Sequence, residues 1–580
     1  MLRNNVLMLS LLVWLVAGCT GDRHALAELV VVNADIITMD PARPEATAIA
    51  TKAGKIIAVG SRAQIEPFIG SATELVDAGG NTLMPSINDA HAHPILGGLQ
   101  KLYECNFPFD AGPADVVATI ESCIARMAPQ QMWLTGGQWT SNFFVDHNIP
   151  SPRQLLDAVS TDKAVVLADD SFHNAWVNTR ALELLGIDGQ TPAPEGMTFV
   201  KNSRGELTGL LYEAFALIRE RLPAYSAEQY QTAALEAVAS ANRFGVTGIK
   251  DASAERADAE AFYELDRKGR LNAHIALSLL IANSDKSAPP PAVDEYIALR
   301  DRYRSELVNT SGIKIFLDGV PTASRTAALL QPYVPEHRHS EPNYGQLHVN
   351  PEQLAAAVTA YDRAGFTVKI HAAGDRSIRV ALDAIEQARE ANGFSGLYHE
   401  LAHAAYIDSQ DIPRFNQLQV VAGFTPYIWF PSAITDSILA AVPAPRNEQI
   451  WPARQLLEAG ATMLAGSDWP SAVPDMNPWP GIEALVTRRD PSARHAGELW
   501  PEQALSLEQA LTIYTIEGAK ALGTAATSGS LEVGKRADFI LLHVNLASLP
   551  VERIGDIEPA RTYFNGELVY SSTEQRQRRD

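Results

Sequence analysis

Short apolar runs alternate with longer amphipathic stretches through the middle of this chain, which is typical of a parallel α/β fold. The amphipathic stretches have helical spacing, as at 227–244, 351–364 and 378–391. Between them lie eight runs with the character of buried strands that carry polar residues at their C-terminal ends: 87–93, 246–251, 273–280, 312–318, 367–371, 398–403, 418–424 and 462–468. We therefore predict a (β/α)8 barrel of the TIM type over residues 84–525.

Two further apolar runs, 132–135 and 164–168, do not fit a count of eight strands. Barrels commonly carry extra structure and function on elaborated βα loops. We expect both runs to belong to a segment inserted into the barrel at about residues 105–225.

Both ends of the chain contain β-type runs punctuated by glycine, aspartate and asparagine. They are 29–33, 35–40, 55–60, 529–542 and 562–570. These runs predict a small β-sandwich domain built from both chain ends, residues 19–83 and 526–573, with the barrel between them.

The first 18 residues have the layout of an export signal. A basic start is followed by an apolar stretch, 6–17, that is too short to span a bilayer comfortably. It ends in LVAGC (15–19), which resembles the bacterial lipoprotein signal, where the cysteine is lipidated and becomes the new N-terminus. We expect residues 1–18 to be a signal peptide and Cys19 to anchor the exported protein at the periplasmic side of the cell envelope. Thr20 favours the outer membrane, and a plain secretory signal is the alternative.

Composition places the chain among ordinary globular proteins, with 580 residues, 46% of them hydrophobic and 20% charged. The net charge of -21 argues against nucleic acid or anionic lipid as the main partner. The expected partner is a small-molecule substrate, with membrane contact only through the lipid anchor, and homo-oligomer formation is left open. Cys105 and Cys123 could pair in an exported protein, but their spacing does not decide it.

The first candidate chemistry is the pair His91 and His93, at the end of the first predicted barrel strand. Residues two apart on a strand point to the same face, so both imidazoles would lie side by side. Pro94 then ends the strand, because it cannot donate to the ladder. Two neutral imidazoles on a rigid strand are a good start for a divalent metal site, although such pairs also occur by chance.

Four more polar residues occupy the C-terminal ends of predicted barrel strands. In a barrel these ends meet on one face even when they are far apart in sequence. Histidines with a carboxylate suit Zn²⁺ or a similar borderline metal better than calcium or magnesium. The four residues are Lys314, His371, His403 and Asp468.

Seven motifs, spread over nearly the whole chain after the signal, resemble the metal-dependent amidohydrolase superfamily, in the third-type branch that includes the N-substituted formamide deformylases. The resemblance implies a hydrolase that cleaves C–N bonds other than peptide bonds in a small molecule. The motifs are LMPSINDAHAHP, DSFHNAWVNTRAL, GELTGLLYEA, KIFLDGVPTASRTAALLQPY, KIHAAGDR, AGSDWP and GSLEVGKRADFIL.

The resemblance also implies a metal centre with two divalent ions, which we expect to be Zn²⁺. His91 and His93 would bind the first ion, and His371 and His403 the second. Lys314 would be carboxylated and would bridge them, since a carbamate offers two anionic oxygens where a free ammonium would be repelled.

Two residues are implied to carry the chemistry. Asp468 would bind the first metal, accept a proton as metal-bound hydroxide attacks the carbonyl, and pass it to the leaving amine. His173, in DSFHNAWVN, would donate a hydrogen bond to the developing oxyanion, because the family has a histidine there. A purely structural, hydrogen-bonded His173 is an equal alternative.

Residues 399–403, HELAH, match H-E-x-x-H, which on a helix marks a zinc protease that uses His399, Glu400 and His403. On a helix the two histidines have Cβ atoms about 5–6 Å apart, whereas on a strand they would be roughly 13 Å apart. The flanking sequence favours a strand, so only His403 is expected to be a ligand. The family usually has arginine and glutamate where this chain has Glu400 and Ala402, which alters the surroundings of His403.

Two other possibilities stay open. Lys250, paired with Asp251 or Glu255, is an alternative carbamate site, because Gly-Ile-Lys occurs there as it does around Lys314. A non-catalytic binding or regulatory lipoprotein on the same barrel is an alternative function, although a binding protein would not need both Lys314 and Asp468.

Substrate contacts are expected from residues near strand ends. Trp139 and Trp469 could pack on an apolar group, and Arg325 could meet a carboxylate. For tryptophans beneath long loops, core packing is the alternative.

Overall fold

A computed structural model describes residues 25–109, 111–140, 142–194, 196–281, 292–335, 341–471 and 473–573. The predicted signal peptide, residues 1–18, and the predicted lipidation site Cys19 lie outside these residues. Within the described ranges, no helix has the length and hydropathy that crossing a bilayer would require.

The strands fall into three sheets. Those before the second barrel strand are β1 (Leu29–Ile37), β2 (Glu45–Lys52), β3 (Lys55–Gly60), β4 (Glu74–Asp77), β5 (Thr82–Pro85), β6 (Ile87–Ala92), β7 (Cys105–Asn106), β8 (Trp133–Trp139), β9 (Ala164–Asp169), β10 (Ala175–Val177), β11 (Thr198–Lys201) and β12 (Leu207–Tyr212). The others are β13 (Val246–Ala254), β14 (His274–Leu280), β15 (Val308–Phe316), β16 (Thr367–Ala372), β17 (Glu400–His403), β18 (Val421–Phe424), β19 (Thr462–Ala465), β20 (Phe539–Leu542), β21 (Pro559–Phe564) and β22 (Glu567–Ser571).

The α-helices lie mostly between these strands. The first group is α1 (Arg62–Ile65), α2 (Pro94–Tyr103), α3 (Pro113–Arg126), α4 (Phe143–Asp146), α5 (Pro152–Val159), α6 (Thr179–Leu185), α7 (Phe215–Arg219), α8 (Ala227–Arg243) and α9 (Arg256–Arg267). The second is α10 (Val293–Tyr303), α11 (Pro351–Arg363), α12 (Asp375–Asn392), α13 (Ile412–Gln417), α14 (Ala433–Ala441), α15 (Ala453–Glu458), α16 (Pro478–Thr487), α17 (Leu507–Thr512) and α18 (Gly518–Leu522).

The central sheet is a nearly closed barrel of parallel strands. Its strands follow one another in chain order, β6, then β13 through β19. This confirms the predicted (β/α)8 barrel, and each predicted barrel strand is present. Long helices cover the outside through apolar faces, and α8, for example, buries a row of alanines because close packing on the barrel admits only small side chains.

The barrel closes through main-chain hydrogen bonds beyond the end of β19. The amide of Asp468 donates to the carbonyl oxygen of His91 at 2.7 Å, and the amide of His93 donates to the carbonyl oxygen of Trp469 at 2.7 Å. The first and last strands are therefore joined at the residues that carry the predicted chemistry.

The two chain ends share a second sheet, as the fold prediction required. Its order is β22-β21-β20-β5-β1-β2-β3, with β4 beside β1. Its apolar face forms a core separate from that of the barrel, with Val31, Ile49 and Phe539 fully buried. The buried pair of His274 and Asp538, at 2.9 Å, joins this sheet to β14 of the barrel.

The inserted segment forms a third sheet in the order β11-β12-β10-β9-β8-β7. The two apolar runs that did not fit the barrel, 132–135 and 164–168, lie in β8 and β9 of this sheet. Cys105 and Cys123 form a disulfide that ties β7 to α3, which resolves the pairing that their spacing left open.

Candidate metal centre

Strand β6 delivers the first two histidines to the C-terminal mouth of the barrel. Every residue of β6 is buried, and His93 lies between the strand and α2, as the N-cap residue directly before Pro94. The two rings lie 5.7 Å apart between centroids. The Nε2 atoms of His91 and His93 lie 3.3 and 3.2 Å from Oδ1 of Asp468, so the predicted pair and the predicted carboxylate meet.

The other two histidines lie beside this pair. The ring of His403 is 4.9 Å from His91 and 4.5 Å from His371. His403 and Asp468 both have left-handed backbones, with φ of +71° and +60°. Such strain in residues other than glycine is concentrated at functional sites, because surrounding structure must hold it in place.

One buried ring nitrogen in this cluster, Nδ1 of His371, has no hydrogen-bond partner among the described residues, whereas Nε2 of His91 faces the carboxylate of Asp468 at 3.3 Å. On His371 the opposite nitrogen, Nε2, donates to the carbonyl oxygen of Gly319 at 3.0 Å. This bond places the hydrogen on Nε2 and leaves the lone pair of Nδ1 for a ligand. Buried polar atoms are rarely left unpaired, so Nδ1 of His371 is a candidate metal ligand.

The geometry of the donors fits a divalent metal. Ligand atoms of His91, His403 and Asp468 all lie within 4.8 Å of one another. Burial holds the pKa values of His91 and His371 well below the usual range and lowers that of His403 to about 3. The imidazoles are therefore neutral, which is the form that binds metals. Although burial opposes it, His91 holds the pKa of Asp468 well below its usual range, so this carboxylate is ionised.

Lys314 reaches the same site from β15. Its side chain is 1% exposed, and Nζ lies 4.5 Å from the centre of the Phe316 ring. Nζ forms no hydrogen bond or ion pair with the rest of the described chain. Burial and the neighbouring Lys369 lower the pKa of Lys314 to about 7. Much of this lysine is therefore an uncharged amine at neutral pH, which is the form that can react with carbon dioxide.

Lys250, the alternative carbamate site, is already engaged. Its ammonium forms a buried ion pair with Glu400, and it does not pair with Asp251 or Glu255 as the sequence suggested. Lys369 binds the other oxygen of Glu400 at 2.7 Å. Glu400 thus lies between two buried lysines, a role that its sequence position did not reveal.

The HELAH run lies on strand β17 from Glu400 onward, as expected, and not on a helix. His399 points away from the metal centre: its Nε2 is 3.1 Å from Oδ1 of Asp362, and its Nδ1 accepts from the amide of Val368 at 3.1 Å. Only His403 joins the cluster. The arrangement that a zinc protease needs from this motif is absent.

His173 reaches the centre from the inserted segment. Its ring is 5.4 Å from that of His371, and its Nδ1 lies 2.8 Å from Oε2 of Glu213. Although burial opposes it, Glu213 raises the pKa of His173 to about 9, and the pKa of Glu213 falls to about 2. The two form a charged pair beside the metal centre. Sequence reasoning missed Glu213, although it lies within the GELTGLLYEA motif.

A cavity of about 1500 Å³ opens from the metal centre. Near the ends of β15 to β18 its wall is mostly apolar, with the hydroxyls of two buried threonines that have no hydrogen-bond partner among the described residues. These wall residues are Phe316, Val320, Thr322, Thr425, Ile428, Ile434, Ile438 and Trp451.

The three residues expected to contact substrate do not line this cavity. Trp139 packs on Phe144, and its indole donates to the carbonyl oxygen of Leu167 at 3.3 Å. The indole of Trp469 is buried and donates to the carbonyl oxygen of Pro474 at 3.1 Å. The guanidinium of Arg325 donates to the carbonyl oxygen of Ala323 at 2.8 Å. The prediction was wrong because the sequence pattern places these residues near strand ends but does not show which way their side chains point.

Comparison with known proteins agrees with the motifs. The sequence model of the amidohydrolase family matches residues 74–570. Protein LONG AFTER FAR-RED 3 of Arabidopsis thaliana is 30% identical over 545 residues, 91% of this chain and 89% of that protein. N-substituted formamide deformylase of Arthrobacter pascens is 25% identical over 567 residues, 94% of this chain and 99% of that protein.

A solved structure shows the same fold. It is an uncharacterized metal-dependent hydrolase from Pyrococcus horikoshii OT3, with a TM-score of 0.67 at 23% identity, covering 88% of this chain and 96% of that one. The family resemblance drawn from the motifs is confirmed.

Proposed function

This chain belongs to the amidohydrolase family, and from that membership we propose that it hydrolyses a C–N bond of a small molecule, in an amide or a related group but not a peptide bond. The observation that carries the proposal is the cluster at the mouth of the barrel in which ligand atoms of His91, His403 and Asp468 lie within 4.8 Å of one another. Beside it, the buried Nδ1 of His371 has no hydrogen-bond partner among the described residues. Buried polar atoms are rarely left unpaired, so this nitrogen is available to a metal ion.

Six residues would hold the metal. His91, His93 and Asp468 would bind one ion, and His371 and His403 a second, with a carboxylated Lys314 between them. The short distances among His91, His403 and Asp468 and the lowered pKa of Lys314 support this assignment. Bound zinc would polarise the carbonyl of the substrate and lower the pKa of a water molecule from about 15.7 toward about 7.

Two side chains of the protein would then transfer the proton and stabilise the negatively charged oxygen. Asp468 is an ionised carboxylate within 3.3 Å of two histidines, and it would accept a proton from the attacking water and return it to the leaving nitrogen. His173, held in its charged form by Glu213, would donate a hydrogen bond to the oxygen that becomes negative. The apolar wall of the cavity would hold an uncharged part of the substrate and exclude water.

Chelation and zinc reconstitution test this function. The stripped and the reloaded proteins are incubated with formamides, N-acyl amines, cyclic amides and N-acyl amino acids, and released amine is measured. We expect amine release from at least one class by the reloaded protein only. Equal release by the stripped protein, or none from any class, would count against the proposal.

We also propose that the protein is exported and anchored through Cys19. The sequence around the cysteine supports this, and the disulfide between Cys105 and Cys123 is consistent with an oxidising compartment.

A further inference from the structure

Glu213 lies where the inserted sheet meets the barrel, directly after β12. Its side chain is 6% exposed and makes two close contacts in opposite directions. Oε2 lies 2.8 Å from Nδ1 of His173, within the inserted segment, and Oε1 accepts from the hydroxyl of Thr326 at 2.5 Å, in the loop after β15. One buried carboxylate thus links a residue of the insertion to a loop of the barrel.

We propose that Glu213 is a positioning residue, which holds the imidazole of His173 over the metal centre so that its Nε2 meets the carbonyl oxygen of the substrate. The inference rests on the proposed amide hydrolysis. Thr326 would in turn fix Glu213, so the inserted segment forms part of the active site and is more than a cover over the barrel.

Two residues at this contact have left-handed backbone conformations. Phe172, directly before His173, has φ of +57°, and Glu213 itself has φ of +54°. Neither is glycine, so both conformations cost free energy and persist only where surrounding contacts enforce them. The contacts are present: the amide of Glu213 donates to Oδ1 of Asn174 at 3.1 Å, and the amide of Asn174 donates to Oδ1 of Asp169 at 3.1 Å.

On the barrel side of this contact, Gly319 packs closely against Glu213 and Thr326. A Cβ atom at Gly319 would overlap both Oγ1 of Thr326 and Oε1 of Glu213. The carbonyl oxygen of Gly319 also accepts from Nε2 of His371. Because residue 319 is glycine, the loop after β15 can approach Glu213 closely. The same residue orients His371, a predicted metal ligand, through its carbonyl oxygen.

The hydrogen bond decides how the ring of His173 is presented. An ionised carboxylate only accepts, so Nδ1 of His173 carries a hydrogen and Nε2 is left for the cavity. The ring lies 5.4 Å from that of His371 and 6.2 Å from that of Phe316. A residue in this place can meet a carbonyl group drawn to the metal centre.

A double-mutant cycle with zinc-loaded, full-length protein tests the role, with 4-nitroacetanilide as the probe substrate. Loss of one donor to an oxyanion typically costs about 10²–10³ in kcat. We expect His173→Gln to lower kcat by about that factor, Glu213→Gln by about 30- to 100-fold, and the double variant no more than His173→Gln alone. KM should change by less than about threefold, and zinc content should not change.

Two further variants make the test specific. Thr326→Val should lower kcat by about three- to tenfold, with no further loss in the His173→Gln background, and it replaces Glu213→Gln in the cycle if that variant does not fold. Glu206→Gln is the matched control, because Glu206 lies in an exposed hairpin of the same inserted segment. Its kinetics should equal those of the unaltered protein.

Nuclear magnetic resonance of the ¹⁵N-histidine-labelled protein gives a readout that needs no substrate. We expect a downfield Nδ1–H signal that disappears in both His173→Gln and Glu213→Gln and stays in Glu206→Gln. A signal that survives Glu213→Gln, or losses in kcat that multiply in the double variant, would overturn the role of Glu213. Absence of amide hydrolysis by the unaltered protein would instead refute the proposed function. The spectrum alone would then show whether Glu213 accepts the hydrogen bond from Nδ1 of His173.

Discussion

Asp468 is joined to His91 twice: its amide donates to the carbonyl oxygen of His91 at 2.7 Å, and its carboxylate Oδ1 lies 3.3 Å from Nε2 of the same histidine. The first contact is one of the two main-chain hydrogen bonds that close the barrel between its first and last strands. The second assembles the candidate metal centre. Closure of the fold and construction of the site therefore depend on the same two residues, which are 377 positions apart in the chain (468 minus 91).

Lys314→Ala should reduce both metal content and activity. If a carboxylated Lys314 helps to hold a second ion, as proposed, this variant lacks that ligand, and we expect the zinc content to fall from close to two ions per chain toward one. In the unaltered protein, assembly without carbon dioxide should give low activity, and added bicarbonate should restore it. Unchanged zinc content in Lys314→Ala, with no effect of bicarbonate, would leave only a centre with one metal ion.

The activity should fall at alkaline pH through His173. The pKa of this histidine is raised from about 6.5 to about 9 in the folded protein, mainly by Glu213 against the effect of burial. The charged form therefore predominates at neutral pH and is lost as the pH rises through about 9. A profile of kcat against pH should show this alkaline fall, and His173→Gln should lack it. An identical fall in both proteins would assign it to another group.

Glu400→Gln should act mainly on stability. Glu400 is the shared partner of Lys250 and Lys369, all three being at most 3% exposed. Removing one partner of a buried ion pair costs about 3–5 kcal/mol, because a charge is left uncompensated. Thermal or denaturant unfolding should show this loss, whereas Glu502→Gln, at an exposed position, should show none. Equal stability of the two variants would contradict the account of this cluster.

Cys19→Ala should release the protein from the membrane. If residue 19 carries the lipid, the variant should appear in soluble fractions with unchanged activity on soluble substrates, since the anchor lies outside the barrel. Fractionation and mass determination of the mature N-terminus provide the measurement. Unaltered protein that is wholly soluble, or that begins after another residue, would rule out the lipid anchor.

Much of the barrel was predictable because its signal is local. Each strand is a short apolar run with a polar residue at its end, and parallel connectivity brings those ends together. Distance along a strand likewise separated His403 from His399: on a strand their Cβ atoms would be roughly 13 Å apart, too far to bind one metal ion. In the structure β17 begins at Glu400, directly after His399.

Contacts that depend on how distant segments pack were not predictable. Glu213 gains its role only when the inserted sheet meets the loop that carries Thr326. Lys250 finds Glu400 across the barrel interior, 150 residues away, and not the acidic residues beside it in sequence. Trp139 and Trp469 look like pocket residues in sequence, but their indoles are turned into the protein.

The most direct test of the central claim compares three variants on one amide that the zinc-loaded protein hydrolyses. Asp468→Asn should lower kcat by at least about 10²–10⁴, because it removes the residue proposed to move the proton and to bind metal. Glu400→Gln and His399→Ala, measured at a temperature where both are folded, should retain far more activity. If Glu400→Gln is the most damaging of the three and Asp468→Asn is mild, the active site has been placed on the wrong residues.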